Sequence, residues 1–382
     1  MSITVRPFEE RDRQGNFEVR SLTYNNGDPI PPDRQAFKWT RPFVAEHDGQ
    51  VKGICGVLDL TCTRGEALLK CGGVAGVAVL PHERRLGVGK AMMSWLVRRL
   101  REEGTPLASL YAFRESYYRK FGYEVCGKRL KISCPTHRLP KIDNPLPVRK
   151  LTPDQWQDID PCFNTFAHAR SGVSRRDDRL WHRVLAENRP LTIYAAGDPV
   201  EGFVVVSHSV EFWSSDHMSD VAWSTIRGHE VVMDILSSIG INKTAFSWYE
   251  PSDSPFVARY MDQGIEVSVD RPIMFRVCDV PAALSALKTK TQGSFSLGVV
   301  DDLVPENWGP WQVDFDEAGV EVRPATQADL VIDIRQFAGA FLGEPSWQEL
   351  ARNGLVEVRN PEALEAAVKL MPPSPVYCPE FF

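Results

Sequence analysis

The stretch from Gly72 to Tyr123 constrains the fold more than any other part of the sequence. It begins with an apolar run over 74–80 that Pro81 interrupts, as is typical of a buried strand. A loop with two arginines and two glycines follows. Apolar residues then recur at helical spacing, as far as Gly104, at Met92, Met93, Leu96 and Leu100. A second strand is predicted over 107–113, so the segment should form a strand–loop–helix–strand unit.

The loop between the first strand and the helix has the chemistry of an anion site. Gly87 and Gly89 allow the backbone to curl so that successive N–H groups point at one spot, in front of the positive end of the helix. Arg84 and Arg85 add guanidinium groups, which suit phosphate. The loop is therefore predicted to bind a phosphate-bearing ligand.

Three phosphate-binding patterns were compared with this loop. A Walker loop requires a glycine where Arg84 stands and a serine or threonine where Ala91 stands. A dinucleotide fingerprint requires a third glycine in place of Met92. The pattern that fits is Arg-x-x-Gly-x-Gly, although six residues alone are equally compatible with a glycine-bearing turn on a basic surface.

A wider comparison favours one family. Tyr118-Arg119-Lys120-Phe121-Gly122-Tyr123 follows the loop by about thirty residues. Together the two motifs resemble the GNAT acetyltransferases, in which the Arg-x-x-Gly-x-Gly loop holds the pyrophosphate of coenzyme A. The longer wording, VAGVAV-P-x-x-R-R-x-G-V-G with LYAF and YYRKFGY, is similar to the enhanced intracellular survival (Eis) branch of that family.

The resemblance implies roles for particular residues. The family's coenzyme contacts correspond to Val77, Val79, Arg84, Arg85, Gly87, Val88, Gly89 and Lys90. Tyr118 corresponds to the general acid, whereas Tyr117 is expected to point elsewhere and Tyr123 to pack. In the Eis family a C-terminal Phe carboxylate acts as base, and Phe382 stands at that place, with Glu380 able to add charge beside it. Without the motif, Tyr118 would be read as a core tyrosine and Phe382 as an apolar tail residue.

The acceptor side is less specified by the sequence. Residues 9–40 correspond to the first helices and a loop over the acceptor site, where Tyr24 and Trp39 are candidate substrate-binding residues. For each of them, closing the edge of the core is an equally good interpretation. The resemblance implies acetyl-CoA as co-substrate and a primary amine as acceptor, such as an aminoglycoside, a lysine side chain or a small metabolite. A non-catalytic acyl-CoA or lipid sensor is the alternative from another class.

The chain is too long for one ordinary core. Prolines at 135, 140, 145 and 147 mark a linker, and residues 124–134 before it alternate as if to close the first sheet. The predicted division is a catalytic GNAT domain over 1–143, a degenerate GNAT-like domain over 144–285 and a sterol-carrier-like domain over 286–382. The predicted class is α+β, with tandem GNAT folds, each a mixed sheet flanked by helices. The second unit lacks the glycine loop, since Ser224 to His229 stand there.

The composition of the chain argues against several classes of protein but does not indicate a function. The net charge of −6 argues against nucleic-acid binding. No apolar run approaches the roughly 18 residues that span a bilayer, and the N-terminus does not read as a signal peptide. The eight scattered cysteines lack Cys-x-x-Cys pairs, which indicates reduced thiols in a cytoplasmic protein and no metal site. The resemblance implies a homo-oligomer, either a hexamer or a trimer.

Overall fold

A computed structural model describes residues 3–31, 38–143, 145–185, 191–207, 213–270 and 273–382. Within these ranges the chain forms three β-sheets with helices packed on them, which confirms the α+β class. The strands are β1 (Thr4–Pro7), β2 (Arg41–His47), β3 (Gln50–Arg64), β4 (Ala67–Val79), β5 (Leu107–Tyr111), β6 (Glu124–Val125), β7 (Leu130–Pro135), β8 (Val148–Leu151), β9 (Leu191–Ala196), β10 (Gly202–Ser207), β11 (Ser215–Trp223), β12 (Ala245–Glu250), β13 (Glu266–Val269), β14 (Ile273–Val277), β15 (Gly293–Val300), β16 (Trp311–Asp316), β17 (Gly319–Pro324), β18 (Leu330–Asp333) and β19 (Val356–Val358).

Helices cover the sheets. They are α1 (Arg13–Tyr24), α2 (Val88–Glu102), α3 (Glu115–Tyr118), α4 (Asp160–His168), α5 (Asp178–Val184), α6 (Ile226–Ile239), α7 (Pro255–Tyr260), α8 (Val280–Ser285), α9 (Ile334–Leu342), α10 (Trp347–Arg352) and α11 (Pro361–Leu370). The predicted helix after the glycine loop is α2. Its apolar stripe is at most 1 % exposed, at Met92, Met93, Leu96 and Leu100. Burying each such side chain contributes about 1.5–3 kcal/mol, so packing against the first sheet stabilises α2.

The first two sheets exchange strands. The first has the order β1-β2-β3-β4-β5-β14-β6, and the second has the order β13-β7-β12-β11-β10-β9-β8. Strand β14 therefore lies between β5 and β6, while β7 lies between β12 and β13. The prediction that residues 124–134 close the first sheet is wrong for β7, which pairs entirely in the second. Alternating residues predict that a strand forms but do not specify its partner.

The third sheet, in the order β17-β16-β15-β18-β19, belongs to the C-terminal part of the chain. Its core is continuous with one face of the first sheet, because Leu60, Leu69 and Phe275 share a cluster with Leu297 and Phe337. The second sheet has its own core, in which three tryptophans are buried, namely Trp181, Trp223 and Trp248. In the described ranges, the first and third sheets therefore share one hydrophobic core, and the second sheet has a separate one.

Candidate active site

Strands β4 and β5 pair over three residues and then separate. The parallel pairing runs from Cys71 opposite Leu107 to Gly73 opposite Ser109. Beyond Gly73, β4 continues to Val79 without pairing to β5, and Gly76 interrupts its regular course with a φ of +59°. The two strands therefore enclose a gap whose edge carries backbone groups, where an extended ligand can pair like an additional strand. Val77 and Val79 are half-buried on this edge.

The glycine loop lies after the far end of the gap, where α2 begins. Gly87 precedes the helix in the left-handed conformation, with φ +94°, and no side chain caps the helix among the described residues. The first N–H groups of α2, those of Val88, Gly89 and Lys90, are thus left without a side-chain cap, which is the geometry that an anion site requires. Arg84 and Arg85 flank the loop, and Arg84 donates weakly from Nε to the Val79 carbonyl oxygen at 3.4 Å.

The corresponding helix of the second unit is closed. Thr225 caps α6 by accepting a hydrogen bond from the Gly228 N–H at 3.0 Å. A Cβ on Gly228 would lie 2.1 Å from the Glu201 carbonyl oxygen, so the chain of the neighbouring strand occupies the space in front of the helix. This geometry agrees with the predicted loss of the anion site in the second unit.

Tyr118 ends α3 and is only 3 % exposed. Burial, with a smaller effect from the neighbouring Tyr117 and Tyr24, raises the pKa of its phenol well above the ordinary value. The phenol therefore stays protonated at neutral and alkaline pH and can act only as a hydrogen-bond or proton donor to a developing anion. Among the described residues, no side chain or backbone group forms a hydrogen bond with its hydroxyl.

The contacts of two aromatic residues with Tyr118 were not predicted from the sequence. Tyr117 does not point away: its ring packs edge-on against that of Tyr118 at 5.0 Å, and its hydroxyl would lie 2.5 Å from a Cβ on Gly89. Gly89 is thus required for this close approach, whereas Gly87 is required for its positive φ. Phe113 is 72 % exposed, and its ring centroid lies 5.7 Å from that of Tyr117 and 5.5 Å from that of Tyr118. Helical spacing could not reveal these contacts, because α3 is a single turn.

A contact from a distant strand explains why the Tyr-x-x-Phe-Gly motif has a glycine. Gly122 has a φ of +79°, and a Cβ there would lie 1.6 Å from Nη1 of Arg276. That nitrogen donates to the Phe121 carbonyl oxygen at 2.5 Å, and Nη2 pairs with Asp301 at 2.6 Å. Arg276 is fully buried on β14, so the exchanged strand and the C-terminal part of the chain together position the segment that carries Tyr118.

The two predicted acceptor residues lie in different places. Tyr24 is 58 % exposed, and its hydroxyl donates to the Val77 carbonyl oxygen at 2.9 Å, so it borders the strand gap. Trp39 is half-buried and lines a small cleft between the first two units. The other lining residues are Leu58, Asp59, Asp177, Arg179, Leu180 and Arg183. Residues 32–37 of the predicted loop lie outside the described ranges.

The cleft beside Trp39 has nearly balanced charges. Asp59 pairs with Arg41 at 2.9 Å, and Asp177 caps α5 by accepting from the Leu180 N–H at 2.8 Å. Arg179 donates to the Trp39 carbonyl oxygen, and Arg183 donates to that of Phe381 at 2.6 Å. The cleft is therefore not strongly acidic.

Phe382 lies at the apex of the strand gap. Its ring atoms are 3.1 Å from the position that a Cβ on Gly73 would take, and its centroid is 5.6 Å from that of Tyr111. Gly73 is the last residue of β4 that pairs with β5, so the structure brings the last residue to the place where the gap opens. Glu380, in contrast, does not reach the gap, because its carboxylate pairs with buried Arg176 at 2.8 Å.

Within the described ranges, no group of three or more His, Cys, Asp or Glu side chains is arranged to hold a metal ion. No helix in these ranges is long and apolar enough to cross a membrane.

Comparisons with known proteins identify two of the domains. Residues 4–126 match the acetyltransferase (GNAT) domain, and residues 280–379 match the sterol carrier protein domain. An uncharacterized N-acetyltransferase of Streptomyces coelicolor is 27 % identical over 85 % of both chains. The N-acetyltransferase Eis of Mycobacterium tuberculosis is 34 % identical over 49 % of this chain and 50 % of its own.

Solved structures show the same fold over the full length. A GCN5-related N-acetyltransferase from Anabaena variabilis superposes with a TM-score of 0.87 and 18 % identity, over 100 % of both chains. Eis1 from Mycobacterium abscessus superposes with a TM-score of 0.78 and 20 % identity, also over 100 % of both. The chain is therefore an N-acetyltransferase of the GNAT class. Within that class, the added sterol carrier protein domain and the Eis relatives make the chain similar to the Eis-like enzymes. The predicted family resemblance and the predicted fold class are confirmed.

Proposed function

We propose that this enzyme transfers the acetyl group of acetyl-CoA to a primary amine in the first unit. The observation that carries the proposal is the gap between β4 and β5, which leads to an uncapped helix N-terminus beyond one end. A pantetheine arm can pair along the open edge of β4, and its pyrophosphate can meet the N–H groups of α2. The proposed coenzyme contacts are Val77, Val79, Arg84, Arg85, Gly87, Val88, Gly89 and Lys90.

In the proposed reaction, the amine nitrogen attacks the thioester carbonyl carbon, the new C–N bond forms and the C–S bond breaks. The departing sulfur takes a proton from Tyr118, whose buried phenol is protonated before the reaction. The proton that the attacking nitrogen loses passes to the proposed base or to solvent, and a proton from solvent restores the phenol. A free phenol, with a pKa near 10, does not readily protonate a thiolate of a thiol with a pKa of about 8.5. The proposed contribution of Tyr118 is therefore a short hydrogen bond that stabilises charge on sulfur in a water-poor site, followed by proton transfer.

The proposed base is the carboxylate of Phe382, in a protein that ends at this residue. An α-carboxyl group has a pKa near 3.5, so it is a weak base in water. Next to the gap it would orient the amine, or a water molecule that relays the proton, and its basicity would rise with desolvation. Its support is the contact of the Phe382 ring with Gly73 at the apex of the gap.

The acceptor is proposed at the level of a primary amine, and aminoglycosides acetylated at several positions are one hypothesis within it. Tyr24, at the strand gap, and Trp39, in the cleft between the first two units, are proposed to contact the acceptor. A polycationic drug would find little net negative charge in the cleft beside Trp39. A lysine side chain or a small metabolite is therefore retained as the alternative. The division at residues 143 and 285, a homo-oligomer and a cytoplasmic location also remain proposals.

The test is thiol release from acetyl-CoA with aminoglycosides, polyamines and lysine peptides, together with mass spectrometry of each product. Release that requires an amine and adds one acetyl group per thiol is the expected result. More than one equivalent with an aminoglycoside would support acetylation at several positions. Tight acetyl-CoA binding without release for any amine would contradict the proposal and favour a sensor.

A further inference from the structure

The last residues of the chain are held by all of the units around them. Tyr377 donates its N–H to the Ser171 carbonyl oxygen at 3.0 Å in the second unit. The Tyr111 hydroxyl of the first sheet donates to the Cys378 carbonyl oxygen at 2.8 Å. Val376 N–H donates to the carboxylate of Glu344 at 2.9 Å. We call residues 376–382 the tail; it is bonded to all three units along its length.

One member of the tail is a buried charge. Glu380 is 2 % exposed, and its Oε1 accepts from Nε of Arg176 at 2.8 Å. Nη1 of the same guanidinium donates to Asp220 on β11. Arg176 and Asp220 are themselves 4 % and 6 % exposed. We call these three residues the buried network.

Aromatic rings enclose the buried network. The guanidinium carbon of Arg176 lies 3.8 Å from the ring centroid of Phe163 and 4.6 Å from that of Trp181. Taking a carboxylate out of water is costly, and an apolar residue would bury the tail without that cost. What an ion pair adds is direction, because the Nε–H of a rigidly held guanidinium donates to a carboxylate oxygen only along its N–H bond. The arrangement therefore fixes position more than it adds stability.

The anchor lies two residues from Phe382. With consecutive Cα atoms 3.8 Å apart, Phe382 can be at most about 7 Å from the Cα of a fixed Glu380. If Glu380 is released, Phe381 still has contacts: its carbonyl oxygen accepts from Arg183 of the second unit at 2.6 Å, and its ring centroid lies 5.0 Å from that of Tyr111. When these open as well, the reach measured from Cys378 grows to about 15 Å. The second unit would thus determine how closely the tail end is held at the gap between β4 and β5.

We propose that Glu380 is a positioning residue, which uses the buried network of the second unit to hold Phe382 at the acetyl-transfer site of the first. The effect on turnover rests on the proposed function, whereas the anchoring itself is measurable without any activity. The second unit, whose own helix N-terminus is closed by Thr225, would in this way still serve the reaction.

The test replaces Glu380→Gln in the 382-residue protein, which removes the charge, keeps the shape and leaves Arg176 paired with Asp220. Carboxypeptidase A then reports how often the tail end is free, through the rate of phenylalanine release from the folded protein. We expect release to rise roughly tenfold, because cleavage follows the population of the open form. We also expect kcat to fall roughly tenfold to a hundredfold, with KM for acetyl-CoA unchanged, as misplacement of a reacting group predicts.

Two controls separate positioning from general damage. Glu357→Gln removes an exposed carboxylate paired with Arg359 at 2.8 Å and should change neither quantity. Val299→Ala, in the core of the third sheet, lowers global stability and removes none of the hydrogen bonds or ion pairs of the tail described above. If it releases phenylalanine as fast as Glu380→Gln at equal melting temperature, the anchoring proposal is wrong.

The remaining outcomes each support or overturn the anchoring proposal. Unchanged release and unchanged kcat in Glu380→Gln would overturn the proposal. Faster release with unchanged kcat would support the anchor but overturn the catalytic role of the tail end, which belongs to the proposed function. If Glu380→Gln does not fold, Arg176→Lys keeps a cation for both carboxylates and loses the directed Nε contact, so the same two measurements apply.

Discussion

At the scale of single residues, the site depends on what surrounds Tyr118 rather than on the tyrosine alone. Its phenol is buried against Tyr117, Phe113 and Tyr123, at centroid distances of 5.0, 5.5 and 6.3 Å. The raised pKa follows mainly from this burial. A phenol held protonated at the end of a strand gap is suited to one task, namely hydrogen-bond donation to charge that develops during the reaction.

Tyr118→Phe should therefore lower kcat by roughly 10² to 10⁴, the usual contribution of a positioned proton donor. The affinity for acetyl-CoA, measured by calorimetry, should change little, because the ring and its packing remain. Tyr123→Phe is the matched control, since its hydroxyl is buried without a hydrogen-bond partner and its loss should leave turnover intact. Normal turnover in Tyr118→Phe would remove this residue from the mechanism.

At the scale of elements, the first and second units show how one loop decides between an open and a closed site. Gly87 gives α2 a start without a side-chain cap, while Thr225 caps α6 by accepting from the N–H of Gly228. An uncapped helix start leaves several N–H donors in need of a partner. The same strand-to-helix connection thus leaves the helix start open in the first unit, where we propose anion binding, and caps it in the second.

Replacing both loop arginines, Arg84→Gln and Arg85→Gln, should raise the Kd for acetyl-CoA by roughly tenfold, as expected for lost charge-assisted hydrogen bonds. The difference from the unaltered protein should shrink at high salt, because exposed charges are screened. Calorimetry at two ionic strengths measures both effects. Arg359→Gln serves as the control, being an exposed arginine of the C-terminal part. An unchanged Kd at low salt would argue against a pyrophosphate at this loop.

At the scale of the whole molecule, the catalytic unit is not self-contained. Strand β14 comes from the end of the second unit and brings Arg276 under the segment of Tyr118, and Asp301 from the following part of the chain holds that arginine. The tail then returns from the opposite end of the sequence to Gly73. Truncation to the first unit would remove both supports.

Extension of the chain by Gly-Ser after Phe382 tests the tail at this scale. The added residues convert the α-carboxylate to an amide, so the proposed base is lost while the anchor at Glu380 remains. We expect kcat to fall at least tenfold, with the affinity for acetyl-CoA and the melting temperature nearly unchanged. The same dipeptide added before Met1 controls for the extension itself. Full activity of the C-terminally extended protein would exclude the carboxylate as base.

The sequence by itself determined the local parts of this protein. The glycine loop, the helix α2 with its buried stripe, and the Tyr-x-x-Phe-Gly segment depend on φ angles, periodicity and short spacings, which neighbouring residues specify. Only the tertiary structure decided which sheet β7 and β14 would join, that Gly122 must make room for Arg276, and that Tyr117 reaches Gly89. It also decided that Glu380 is buried against Arg176 rather than placed beside the gap. These contacts join residues tens to hundreds of positions apart, and no local preference encodes which distant partner a strand edge or a side chain will meet.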